Sequence, residues 1–150
     1  MKGQDGIFLT SHLIKDNIKV YGVSRNSNSD SFFYKLKYIN KNADFNNVEL
    51  IKADLRDKNI TKKILDDVKP DSIINLSGPS SVYESFKNSN IKNDIINIFN
   101  NIVDSCIEIS IFPEFFQASS SEMYGLNKDP RLDENSNFIP NSPYAEGKLE

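Results

Sequence analysis

The chain has 150 residues, 38% of them hydrophobic, which is enough for one globular domain with its own core. A formal net charge of −3 gives no basic surface of the kind nucleic acid or an anionic membrane selects, and no apolar run approaches the ~18 residues of a membrane span. The only cysteine, Cys106, excludes an intramolecular disulfide and points to a reducing cytoplasm; with a single histidine, it also argues against a His/Cys metal site.

Met1-Lys2-Gly3 does not lead into a signal-peptide core. Gly3-Gln4-Asp5-Gly6 runs instead into a helical stretch, Ile7 to Ile14, where Leu9 and Leu13 share a face. His12 reads as a surface residue of that helix. Ile18 to Val23 is a short strand, and Ser24 to Asp30 a polar loop. Val48 to Ala53 is a second strand ending in Asp54-Leu55. Asp57 caps a helix with Ile60, Ile64 and Val68 four apart, closed by Pro70. Ser72 to Leu76 is a strand that enters Ser77-Gly78-Pro79. A long helix near Ile91 to Ile109 carries two apolar stripes: Ile91, Ile95, Ile98, Ile102, Ile109, and Ile96, Phe99, Val103, Ile107. The second stripe either broadens the core-facing surface or meets another subunit. Phe115 to Ala118 is the last strand. Strands alternating with helices imply a parallel, doubly wound sheet.

The chemistry-bearing stretch is Gln117 to Gly125, followed by Ser142 to Lys148. A strand ends there in small hydroxyl residues and a carboxylate, and a helix then opens at Ser142-Pro143. Tyr-x-x-x-Lys occurs three times, at Tyr83/Lys87, Tyr124/Lys128 and Tyr144/Lys148. Gly125, Asn127 and Asp129-Pro130 make the second a loop. The first has no Ser-Ser-Ser-Glu strand end before it. Only the third joins a Ser-Ser-Ser-Glu strand end to a helix on which Tyr and Lys lie one turn apart. A lysine so placed favours a phenolate, which suits a general base for a sugar or alcohol hydroxyl.

Gly3 and Gly6 suit a turn where backbone approaches a pyrophosphate at a helix N-terminus, although the strand that ordinarily precedes such a turn is absent. Arginine occurs only at 25, 56 and 131. Arg25 follows the strand that usually presents an acid to the ribose of NAD, so it either meets the 2′-phosphate of NADP or is a solvated loop residue.

These residues resemble the N-terminal part of the GDP-mannose 4,6-dehydratase family, extended short-chain dehydrogenase/reductases. The likeness runs through nearly the whole chain. It is carried by Gly3-Gln4-Asp5-Gly6, Asp54-Leu55, Asn75-Leu76, Ser85-Phe86, Ala118 to Gly125, and Phe138 to Lys148. It implies an α/β fold, a Rossmann-type doubly wound parallel sheet lacking its first strand. Residues 1–150 would be a truncated NADP-binding domain, with the C-terminal substrate domain absent from this chain and the 150 residues inactive alone. By the same resemblance, Gly3, Gln4, Asp5 and Gly6 match the dinucleotide turn, Arg25 the 2′-phosphate contact, and Asp54 with Leu55 the adenine contacts. Ser77 and Gly78 line the cofactor cleft. Ser120 stands for the catalytic hydroxyl and Glu122 for the carboxylate base. Tyr144 is the redox base and Lys148 its electrostatic partner, both also facing the cofactor; no metal is expected. Asn26 stands where the family has a second phosphate-site Arg, Pro79 where it has Gln, and Asn141 where it has a basic residue. The implied reaction converts GDP-mannose to its 4-keto-6-deoxy product in an NADP-dependent internal redox cycle, in a cytoplasmic homo-oligomer of the full-length protein. The alternatives are another nucleotide-sugar epimerase, reductase or decarboxylase, or an inactive nucleotide-binding fragment.

Overall fold

The computed structural model describes residues 3–25, 29–41, 44–88 and 90–150. The chain packs as two compact units, 1–68 and 69–150.

In the first unit, α1 (Gln4–Leu13) runs into a 3-10 turn, Ile14–Asp16, and is followed by β1 (Val20–Ser24), α2 (Ser29–Ile39), β2 (Val48–Lys52) and α3 (Lys58–Val68). β1 and β2 pair in parallel, Val20 opposite Val48 and Ser24 opposite Lys52. Two strands alone are marginal in water, so helix packing must supply the stability. It does so through Ile7 of α1, Phe32 and Leu36 of α2 and Val48 of β2, with Ile14, Phe33, Phe45 and Leu50 around them. Each such side chain taken fully out of water contributes about 1.5–3 kcal/mol.

Two expectations are corrected here. The polar loop assigned to 24–30 is shorter. Ser24 closes β1, and Ser29 and Asp30 already belong to α2; Asn26 lies outside the described residues. The i, i+4 pair Phe32 and Leu36 is what makes the segment helical, because α1 offers it a surface to bury against. On α3 the buried residues are Thr61 and Leu65, whereas Ile60 is exposed and Ile64 and Val68 are only half-buried. Thr61 turns that face inward by donating its hydroxyl to the carbonyls of Asp57 (2.9 Å) and Leu55 (3.2 Å). The cap itself is as expected: the Asp57 carboxylate accepts the backbone N–H groups of Asn59 and Ile60, at 2.9 and 3.1 Å. On α1, Ile7, Thr10 and Ser11 are buried, Leu9 and Leu13 half-buried, and His12 exposed.

The second unit holds β3 (Ser72–Asn75), α4 (Val82–Lys87), α5 (Asn90–Glu108), β4 (Glu114–Gln117), a 3-10 turn at Ser121–Met123, and α6 (Pro143–Leu149). β3 and β4 pair in parallel, Ser72 opposite Glu114 and Asn75 opposite Gln117. The first stripe of α5 is core: Ile91, Ile95, Ile98 and Ile102 are all buried. The second divides. Phe99 meets Phe115 of β4 edge-on, ring centroids 5.8 Å apart, while Ile107 is 61% exposed. α6 packs on both α4 and α5. Gly147 permits the α5 approach, because a Cβ there would stand 3.0 Å from the Lys92 carbonyl oxygen.

The observed architecture is therefore α/β with parallel strands, in two sheets of two among the described residues. Among the described residues no helix is long and apolar enough to cross a membrane.

Candidate active site

In the first unit the predicted dinucleotide turn is the start of α1. Gly3 is the N-cap, in extended backbone, and no side chain caps the helix. A Cβ on Gly3 would meet nothing within 4 Å, so the space beside the turn is open. Gly6 is buried in the first turn, its carbonyl accepting the Thr10 hydroxyl at 2.7 Å. Gln4 and Asp5 are exposed. An uncapped helix N-terminus with room beside it is an anion-binding arrangement.

Arg25 is exposed and follows directly on β1. Asp54 follows β2 and is held by a residue to which the sequence reading gave no role. The Arg56 guanidinium donates to it from Nη2 (2.6 Å to Oδ2) and Nε (3.0 Å to Oδ1), and the Arg56 backbone N–H adds a third contact at 3.1 Å. This pairing lowers the Asp54 carboxyl to about 2, with the Arg25 charge as a lesser contribution. Asp54 is thus an ionised, acceptor-only group at neutral pH. Leu55 is half-buried beside it.

In the second unit Ser77 and Gly78 follow β3, Ser120 and Glu122 follow β4, and Lys148 reaches the end of β4 through Ala118; this is the end at which open α/β sheets bind ligands. Gly78 has φ +115, a conformation side chains rarely adopt. Ser142 caps α6 through the Ala145 N–H (3.1 Å), and Pro143 occupies its first turn. Tyr144 is 8% exposed and packs against Ile91, Ile95 and Val82. Lys148 is half-buried, and its Nζ donates to the Ala118 carbonyl at 2.9 Å. Burial pushes its ammonium below the ordinary value. On the outer side, Lys92 of α5 binds Glu146 (3.2 Å) and Glu150 (2.5 Å), fastening α6 down.

The other two Tyr-x-x-x-Lys pairs behave as expected. Lys87 lies over the exposed Tyr83 ring on the surface of α4, 4.2 Å from its centroid. Tyr124 sits in a turn, donating its hydroxyl to the Asp133 carbonyl at 2.8 Å.

Strand alternation does not aim Ser120 and Glu122 together, because β4 ends at Gln117. Ser120 is instead the cap of the 3-10 turn, accepting the Glu122 backbone N–H at 3.2 Å, and Glu122 is exposed on that turn. α6 packs against the same turn, and that contact brings the hydroxyl, the carboxylate and the Tyr/Lys helix into one neighbourhood. The sequence reading also missed Gln117 as a contact. Its Oε1 accepts from Asn75 Nδ2 at 2.7 Å. A polar side chain closing a strand directly after two aromatics, Glu-Phe-Phe-Gln, was the available signal. Among the described residues no cluster of three or more His, Cys, Asp or Glu could hold a metal.

A family model described as GDP-mannose 4,6 dehydratase matches residues 1–150. The GDP-mannose 4,6 dehydratase of Homo sapiens is 32% identical over 98% of this chain and 41% of its own length. The chain therefore spans about two-fifths of the curated relatives it matches. Among solved structures, the UDP-N-acetylglucosamine 4-epimerase of Methanobrevibacter ruminantium, in complex with UDP-N-acetylmuramic acid, superposes with a TM-score of 0.79. It is 29% identical over 99% of this chain and 44% of its own. The UDP-glucose 4-epimerase of Bifidobacterium longum, in complex with NAD+ and UDP, reaches a TM-score of 0.83 at 18% identity, over the same shares. The fold is that of the Rossmann-type epimerases, with part of the sheet present.

Proposed function

Because the chain belongs to the GDP-mannose 4,6-dehydratase family, we propose that it is the coenzyme-binding part of a nucleotide-sugar dehydratase that acts on GDP-mannose. The observation that carries this is the buried Tyr144 on the same short helix as Lys148, whose ammonium is docked on the carbonyl at the end of β4.

The residues present fit a nicotinamide dinucleotide. The uncapped start of α1, with open space at Gly3, takes the diphosphate, and ionised Asp54 with Leu55 takes the adenine. Exposed Arg25 would meet a 2′-phosphate, which supports NADP as the coenzyme. Within the second unit, Ser77 and the positive-φ turn at Gly78 offer small residues at the sheet end where α/β folds take ligands. When bound, the coenzyme supplies a two-electron acceptor that is restored within each turnover. Lys148 spends one N–H on Ala118 and keeps two for the ribose and the phenol. Tyr144 Oη removes the proton of the sugar C4 hydroxyl, and the Ser120 hydroxyl binds the same oxygen. Oxidation at C4 acidifies the C5–H. Glu122 takes that proton and passes it to the departing C6 hydroxyl, so that one water leaves the sugar. The exposure of Glu122 leaves it open to substrate. A reducing cytoplasm, consistent with a single buried thiol, and an oligomer of full-length chains complete the reading.

The alternative, a 4-epimerase, is favoured by the 29% identical epimerase structure. Oxidation at C4 is common to both; only the dehydratase needs a base at C5. In the full-length protein, Glu122→Gln should slow release of the 4-keto-6-deoxy product by about 10²–10⁴-fold while leaving coenzyme reduction by bound sugar detectable. Tyr144→Phe should suppress both. Rapid-mixing absorbance at the reduced-nicotinamide band, with product analysis, reads the two steps. Turnover of GDP-mannose by Glu122→Gln at the parent rate would overturn the dehydratase reading.

A further inference from the structure

We propose that Gln117 is a positioning residue for Lys148: its amide fixes the Ala118 carbonyl that receives the lysine ammonium, and Asn75 holds that amide in place. The proposal rests on the reading of Lys148 given above.

Asn75 and Gln117 are register partners at the last positions of β3 and β4. Asn75 is 5% exposed, so both ends of its amide need partners. Its Oδ1 accepts the Ser77 backbone N–H at 3.1 Å and the Ser77 hydroxyl, and its Nδ2 donates to Gln117 Oε1 at 2.7 Å. Gln117 Nε2 then donates to the Ala118 carbonyl at 3.2 Å. The same oxygen takes Lys148 Nζ at 2.9 Å. A carbonyl has two lone pairs, and here one goes to the amide and one to the ammonium. The Ala118 N–H donates to the Asn75 carbonyl at 3.1 Å, so the peptide is tied on both sides.

The chain of bonds has one direction. Ser77 donates to Asn75, Asn75 to Gln117, and Gln117 to Ala118. Turning either amide over would oppose donor to donor at one end and acceptor to acceptor at the other. Bonds aligned in this way polarise one another. The sequence therefore connects the turn at Ser77, on one side of the site, to the lysine of α6 on the other. A side chain serving only to hold β3 against β4 would need the Asn75 contact alone. The second bond, to the carbonyl that Lys148 uses, is what assigns Gln117 to the lysine.

A double-mutant cycle separates positioning from plain stability. In the full-length protein, NADP+ affinity is measured by calorimetry without substrate, and the thermal midpoint is recorded for each variant. Gln117→Leu should weaken NADP+ about five-fold when Lys148 is present, the scale of one lost hydrogen bond, and less than about two-fold in the Lys148→Met background. Gln117→Glu keeps the acceptor for Asn75 but cannot donate to Ala118. Its carboxylate also attracts the Lys148 ammonium, so Gln117→Met, which removes the amide with little change in volume, carries the cycle if Gln117→Leu fails to fold. Equal losses in the two lysine backgrounds would reduce Gln117 to a strand-pairing residue and overturn the proposal. If Lys148→Met leaves NADP+ binding and turnover unchanged, the reading of Lys148 itself falls, and this proposal with it.

Discussion

Gly125 closes the turn that carries Ser120 and Glu122, and Gly125→Ala tests whether that turn is held as tightly as its geometry implies. Gly125 has φ +49, where an alanine costs about 1–2 kcal/mol. A Cβ there would also stand 2.8 Å from the Ile139 carbonyl carbon, 3.0 Å from Pro140 Cα, and nearer still to the Ile139 oxygen. These are backbone atoms and cannot rotate away. Relief requires the turn to part from the 138–140 segment, at the expense of the Leu126 N–H to Ile139 carbonyl bond (2.9 Å) and the Ile139 N–H to Met123 carbonyl bond (3.1 Å). At about 0.5–1.5 kcal/mol per bond, strain and lost bonds together amount to about 2–5 kcal/mol. That is a large share of the ~5–15 kcal/mol by which a domain is stable. Urea unfolding measures it, with the slope confirming that the unfolded state is unchanged. Gly125→Asn tolerates the left-handed backbone but carries the same Cβ, so it should recover no more than about 1 kcal/mol. A loss below about 1 kcal/mol for Gly125→Ala would show that the segment yields freely and that the close approach does not hold the turn.

Arg25→Ala should weaken NADP+ more than NAD+, by about 1.5–3 kcal/mol for a lost charged hydrogen bond, in competitive titration; equal losses would remove the 2′-phosphate role. Lys148 has its folded value lowered from 10.5 by burial, so the folded chain releases this proton before the unfolded chain does. Its contribution to stability therefore rises with pH between the folded value and 10.5. NADP+ affinity should fall over the same alkaline window, and an unchanged alkaline limb in Lys148→Met would refute the assignment. Asp57→Ala removes the acceptor for two N–H groups of α3 and should lower stability by about 0.5–2 kcal/mol in urea unfolding, with Asp57→Asn recovering most of it; no loss would mean that water replaces the cap.

Local chemistry made much of this molecule readable from its residues. Strands sit within two residues of where β-branched and aromatic runs place them, because those runs are bounded by turn residues that stop a strand wherever it lies. Asp57 and Ser142 cap the helices they precede, since a cap needs only the next three residues. The choice of Tyr144/Lys148 among three equal spacings was also local: a loop-forming Gly and Pro removed one pair, and the want of a Ser-Ser-Ser-Glu strand end removed another.

Tertiary structure decided what depended on a distant partner. α2 is helical through Phe32 and Leu36 because α1 is there to receive them. Thr61, rather than the isoleucine stripe, faces inward on α3 because its hydroxyl reaches two carbonyls of the preceding loop. The Ser120–Glu122 segment reads as the end of a strand until pairing stops at Gln117 and the serine hydroxyl captures the next free N–H. Nothing in the spacing of Asn75, Gln117 and Lys148 places their polar atoms together. Parallel pairing sets the first two side by side across 42 residues, and the seat of α6 on α5, opened by Gly147, brings the third to the same carbonyl.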